Sequence, residues 1–173
     1  MIAGNNYKYN CRIYDKSQCG RMINGQAVDY VSEMRYGLCK MSFNGCEVIA
    51  VCNALMYLEK ACPVYEVSRY MEKFRMLSGI FGCNPHKIGK ALEHYGIKYE
   101  KSRNTGNSEA FILSFWTGKR FLSSIHTVFC THTKNVITVY NRYNNCPEKR
   151  IYRNNSSIAE QKKIIAVYTI KGV

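Results

Sequence analysis

Three residues of this chain have the types and spacing to run nucleophilic chemistry together: Cys46, His126 and Asn141. A thiol attacks a carbonyl as thiolate, a base must take and return its proton, and a third group must fix the tautomer of that base. Cys46 opens the run 44–60, in which apolar residues at 48, 49, 52, 55, 56 and 58 predict a helix with one buried stripe. Asn44 is the expected N-cap, Gly45 permits close backbone approach, and Glu47 complements the positive end of the dipole. A thiol among unpaired helix-start N–H groups is expected as thiolate near neutral pH, below the ordinary value of about 8.5. The same N–H groups can hold an oxyanion. Cys52 falls inside the apolar stripe and reads as core.

The base comes from a predicted hairpin. Segments 125–131 and 136–141 are rich in β-branched and aromatic residues, and the short polar run 132–135 separates them. A Thr133–Lys134 loop sets His126 directly opposite Asn141, whereas a Lys134–Asn135 loop makes them diagonal neighbours on one face. Either register lets the Asn141 amide orient the imidazole. His86 follows Pro85 as an exposed first-turn residue, His94 precedes Gly96 at a helix end, and His132 lies at the hairpin tip.

The elements that must hold these groups are legible in outline. Residues 1–40 are polar and weakly patterned, with short elements expected around 28–35. A second helical stripe, Val67, Tyr70, Met71, Phe74 and Leu77, reads as core over 64–77. A third helix spans 85–95 and closes at Gly96, and a strand follows at 97–101. After a Ser/Asn/Gly-rich loop at 102–108 come a strand at 110–116, the hairpin, a polar loop at 142–153 and a closing strand at 164–170. Trp116 stands where it could wall a substrate cleft.

The runs Asn44-Gly-Cys-Glu-Val-Ile-Ala-Val-Cys-Asn-Ala-Leu55, 85–97 and Ile125-His-Thr-Val with Val139-Tyr-Asn141 together resemble papain-like cysteine peptidases. The nearest likeness is to the bacterial double-glycine leader peptidases that process bacteriocin precursors, over roughly residues 38 to 141. The resemblance implies an α+β fold in which an N-terminal helical subdomain packs on a C-terminal antiparallel sheet, with the active-site cleft between them. It implies one domain over 1–173: an extension to about 40, a helical half at 41–96 and a sheet half at 97–173. The implied activity is that of a thiol peptidase with a Cys46–His126–Asn141 triad acting on a peptide or protein, without a cofactor. Three positions depart from the pattern. Lys40 stands where an oxyanion Gln is usual, Gly45-Cys46-Glu47 replaces Asp-Cys-Gly, and Asn141 replaces the commoner Asp. Asn44 and Lys40 are the candidate substitute oxyanion donors. The alternatives are an inactive peptide-binding member of the same fold and an acyltransferase using the same triad.

Composition bounds the rest. The chain has 173 residues, enough for one core and too few for two ordinary ones. No apolar run reaches membrane-spanning length, and the N-terminus lacks a signal-peptide core, which predicts a cytoplasmic protein. Nine cysteines without Cys-x-x-Cys argue against a zinc ribbon, and nothing in the spacing of Cys83, His86, Cys130 and His132 demands a metal. A formal charge of +13 is compatible with non-specific polyanion binding, although the basic residues are dispersed: Lys98, Lys101 and Arg103; Lys119 and Arg120; Arg142, Lys149, Arg150 and Arg153; Lys162 and Lys163.

Overall fold

A computed structural model describes all residues except 1, 15, 16, 18, 19, 29, 103, 104, 106, 107, 119–123, 172 and 173. Cys19, Arg103, Lys119 and Arg120 therefore lie outside the described residues, as does part of the 102–108 loop. The fold is α+β: among the described residues, five α-helices precede an antiparallel six-stranded sheet, and a sixth, short helix is inserted before its last strand.

The helices are α1 (Ile2–Ile13), α2 (Met41–Asn44), α3 (Cys46–Tyr57), α4 (Val64–Met71), α5 (Ile88–His94) and α6 (Asn155–Ile158). Strands β1 (Arg35–Tyr36) and β2 (Cys39–Lys40) form a small hairpin. The main sheet consists of β3 (Tyr99–Ser102), β4 (Ala110–Trp116), β5 (Ile125–Thr133), β6 (Val136–Tyr140), β7 (Arg150–Tyr152) and β8 (Ile164–Ile170), ordered β3-β8-β4-β5-β6-β7.

Ala110-Phe-Ile-Leu-Ser-Phe115 is buried on both faces, which is why β4 reads as an unbroken apolar run rather than an alternating one. Ala110, Ile112 and Phe129 face a core built on α3, α4 and α5. Phe111, Leu113, Phe115, Val128, Cys130 and Val139 face a second core, closed by Ile158 and Ala159 of and after α6. Helix α3 is buried from Cys46 to Leu55 almost all round, as a central helix must be. Burying each Leu, Ile or Val there stabilises by about 1.5–3 kcal/mol, and Leu55→Ala would cost about 2–5 kcal/mol. No helix among the described residues is long and apolar enough to cross a membrane.

Four expectations are corrected. The N-terminal stretch carries a 12-residue helix whose buried residues are Asn6 and Asn10, so no apolar stripe announces it. The Asn6 amide donates to Gly37 O at 2.8 Å and Glu72 Oε1 at 2.7 Å, and Asn10 brackets the Arg35 backbone. The second helix stops at Met71, because the chain turns extended at Arg75 to bridge Cys83 and then left-handed at Leu77 and Ser78. Leu77 is accordingly 70% exposed rather than core. Asn44 ends α2 instead of capping α3, whose N-cap is Gly45. Arg142 is buried at 7% exposure, paired with Glu160 at 2.6 Å, and not part of a solvated basic face.

Candidate active site

Cys46 is the first residue of α3, and the glycine before it is required. A Cβ on Gly45 would lie 2.8 Å from Met41 Cβ and O, so only glycine lets α2 close onto the helix start. The thiol is 5% exposed. Its hydrogen has two acceptors within reach, Glu47 Oε2 at 3.3 Å and Ile125 O at 4.0 Å. Burial, then the Glu47 charge, pushes the thiol well above its ordinary range, while backbone hydrogen bonds from Thr127 and Glu47 act in the opposite sense. The expected thiolate is thus corrected to a protonated thiol: the helix start favours the anion, but burial beside a carboxylate outweighs it.

Glu47 was read from sequence only as a dipole partner. It is 2% exposed, accepts from Cys83 N at 3.5 Å, and burial raises its carboxyl to about 7.

His126 sits opposite Phe115 in the β4–β5 ladder, with the two rings edge to face at 5.9 Å. Its Nε2 lies 2.6 Å from the backbone carbonyl of Asn141. A carbonyl only accepts, so Nε2 carries the hydrogen and Nδ1 is the bare nitrogen of the neutral ring. Burial, and after it the Arg142 charge, lowers the imidazole to about 4, against the Asn141 bond.

The hairpin loop is Lys134–Asn135: Thr133 pairs Val136 and Phe129 pairs Tyr140, the diagonal register. Asn141 then leaves the strand at φ 58°, which swings its carbonyl, not its amide, onto the imidazole. The amide is spent on the N-terminal segment: Oδ1 accepts from Gln26 N at 2.9 Å and Nδ2 donates to Gln26 Oε1 at 3.2 Å. Gln26 also donates to Ser42 O at 3.1 Å, tying the site to α2. Gln26 was not singled out in the sequence, where only the Asn24-Gly25-Gln26 turn signal marks it, and Arg142 was read there only as one of the dispersed basic residues.

The structure brings Cys46 against the backbone on both sides of His126, at Ile125 O and Thr127. It does not bring the oxyanion candidates in. Lys40 Nζ pairs with Glu33 at 2.7 Å on the surface. The Asn44 amide donates to Tyr36 O at 3.0 Å and to Gly79 O, leaving its buried Oδ1 unpaired. Cys83 and Cys130 belong to cores on opposite faces of the sheet, so the four metal candidates do not converge.

Beside this cluster opens a cleft of about 750 Å³, walled by Met76, Pro85, His86, Trp116, Ile125 and Ile164. Trp116, at the end of β4, contributes to this wall. Ile125 joins the cleft to the thiol; Cys46 itself is not on the wall. No protein-family model and no curated protein matches the chain.

Proposed function

We propose that the chain is a peptide-binding module of papain-like type whose thiol is closed in. One observation carries this reading: the Cys46 thiol is 3.3 Å from the buried Glu47 carboxyl and reaches an open, largely apolar cleft only through Ile125. A thiol so placed is a poor nucleophile, the Lys40 and Asn44 side chains that would hold an oxyanion are engaged elsewhere, and a cleft of this size takes a few side chains of an extended peptide. Fluorescence anisotropy with a library of extended peptides should show saturable binding that Trp116→Ala weakens. Intact-mass analysis after quenching should show no acyl-enzyme. Absence of any peptide binding would refute the module reading.

A thiol hydrolase is the second reading, favoured by the position of Sγ along both flanks of His126 and by the bare Nδ1 behind the Nε2–Asn141 bond. In that case Nδ1 takes the thiol proton as sulfur bonds to the substrate carbonyl, and the imidazolium returns it to the departing amine. Water or, in an acyltransferase, another acceptor then releases the acyl group. A peptidyl electrophile that alkylates Cys46 and no other cysteine, together with turnover, selects this reading.

A further inference from the structure

Beyond the cleft, and independent of its chemistry, the molecule shows an apolar knuckle. Leu38, Phe43, Leu77, Ile80 and Phe81 are between 47% and 70% exposed, and they come from three segments locked together. The Leu38 N–H donates to Ser78 O at 2.9 Å, and a Cβ on Gly79 would lie 2.7 Å from Gly37 Cα. The Asn44 amide holds Gly79 O from the helix that carries Phe43. Buried Glu72 anchors the turn from below, accepting from Gly37 N at 2.9 Å. The backbone is therefore fixed at left-handed Gly37, Leu77, Ser78 and Gly79, and these side chains have no inward path.

Charge along the segment that carries Leu77, Ile80 and Phe81 has one sign. From Lys73 to Leu92 the chain contains no acidic residue, and it carries exposed Lys73, Lys87 and Lys90. Of the flanking acids, Glu47 and Glu72 are buried, Glu72 is already paired with Arg75, and exposed Glu33 is neutralised by Lys40. The whole chain is +13. Exposed apolar tips on a fixed backbone suit a deformable surface, and the acid-free lysines of the same segment suit an anionic one.

We propose that the knuckle of Leu38, Phe43, Leu77, Ile80 and Phe81 docks the protein on an anionic lipid bilayer, its apolar tips entering the interface while the nearby lysines meet the headgroups.

The test is co-sedimentation of the full chain with phosphatidylcholine vesicles made with and without phosphatidylglycerol. The wild type should partition to the anionic vesicles and release in high salt, and Leu77→Ser/Phe81→Ser should lower partitioning at least about tenfold. Circular dichroism of that variant should overlay the wild type, since both side chains are exposed. In a second arm, Phe81→Trp emission should shift to the blue on anionic vesicles. No partitioning at low salt overturns the proposal. So does equal partitioning of the double serine variant, which would leave charge alone as the cause. A dimer that the double variant dissolves overturns it too, because a second copy would then cover the patch.

Discussion

Replacing Glu47 by Gln keeps shape and removes a buried ionisable group, and the consequence is a change in how stability follows pH. In the native state the Glu47 carboxyl moves from the ordinary 4.5 to about 7, because burial disfavours the charged form. An acid whose native value lies above its unfolded one holds its proton longer in the native state. Its effect is absent below 4.5 and becomes a loss of stability as pH rises to about 7. At about 1.4 kcal/mol per tenfold, that loss approaches about 3 kcal/mol at pH about 8. His126 runs the other way. Its imidazole falls from 6.5 to about 4, so the native state refuses a proton that the unfolded chain accepts. That costs stability as pH drops below 6.5, again by about 3 kcal/mol once below 4. Between 4.5 and 6.5 the two slopes offset, which predicts a flat profile for the wild type. Equilibrium unfolding in urea across this range should show that Glu47→Gln is close to neutral near pH 4.5 and more stable than wild type by about 3 kcal/mol near pH 8. The variant alone should also gain stability steeply as pH rises toward 6.5, with the His126 slope uncovered. A stability difference that stays constant with pH would refute the assignment of Glu47 as a buried, proton-holding carboxyl.

The remaining expectations concern the same region. At about pH 7, limiting iodoacetamide followed by peptide mapping should label exposed Cys11 ahead of Cys46, and Glu47→Gln should speed Cys46 labelling by removing the adjacent charge. Cys46 labelling first in the wild type would contradict the closed-in thiol. Asn141→Ala strands the buried Gln26 N–H and removes the short polar side chain that makes φ 58° tolerable, so it should destabilise by about 2–4 kcal/mol in urea unfolding. The His126 titration followed by NMR should barely move, because the partner is a backbone carbonyl. Gly37→Ala, at φ 58° and set against the Ser78 carbonyl and Gly79, should cost about 2 kcal/mol or more and weaken vesicle binding along with it.

What was legible in the sequence follows from what carries each element. Helix α3 and strands β4, β5, β6 and β8 are held by apolar burial, and apolar burial leaves a period that can be read. Helix α1 is held by the Asn6 and Asn10 amides, and amides that meet backbone groups 25 and 31 positions away leave none. The hairpin pattern was enough to place His126 and Asn141 as neighbours. It could not say that a left-handed turn at Asn141 would present the carbonyl and send the amide to Gln26, since that depends on a partner 115 positions away. Glu47 misled for a related reason: first-turn acids are ordinarily solvated, and only the packing of the 82–83 loop over it makes this one a buried neighbour of the thiol.

The position of β8 bears on how the protein reaches this state. The last strand in the chain is inserted between β3 and β4, pairing Tyr99 with Ile170 and Ala110 with Ile170 from its two sides. Until β8 docks, the buried strand β4 has an open edge and β3 has no partner in the sheet at all. Closing such distant pairings is entropically slow, so the rate-limiting step of folding should be β8 insertion, on a timescale of about milliseconds to seconds. The species that waits for it presents Phe-Ile-Leu-Ser-Phe as an unpaired apolar edge, the part of the molecule most exposed to aggregation.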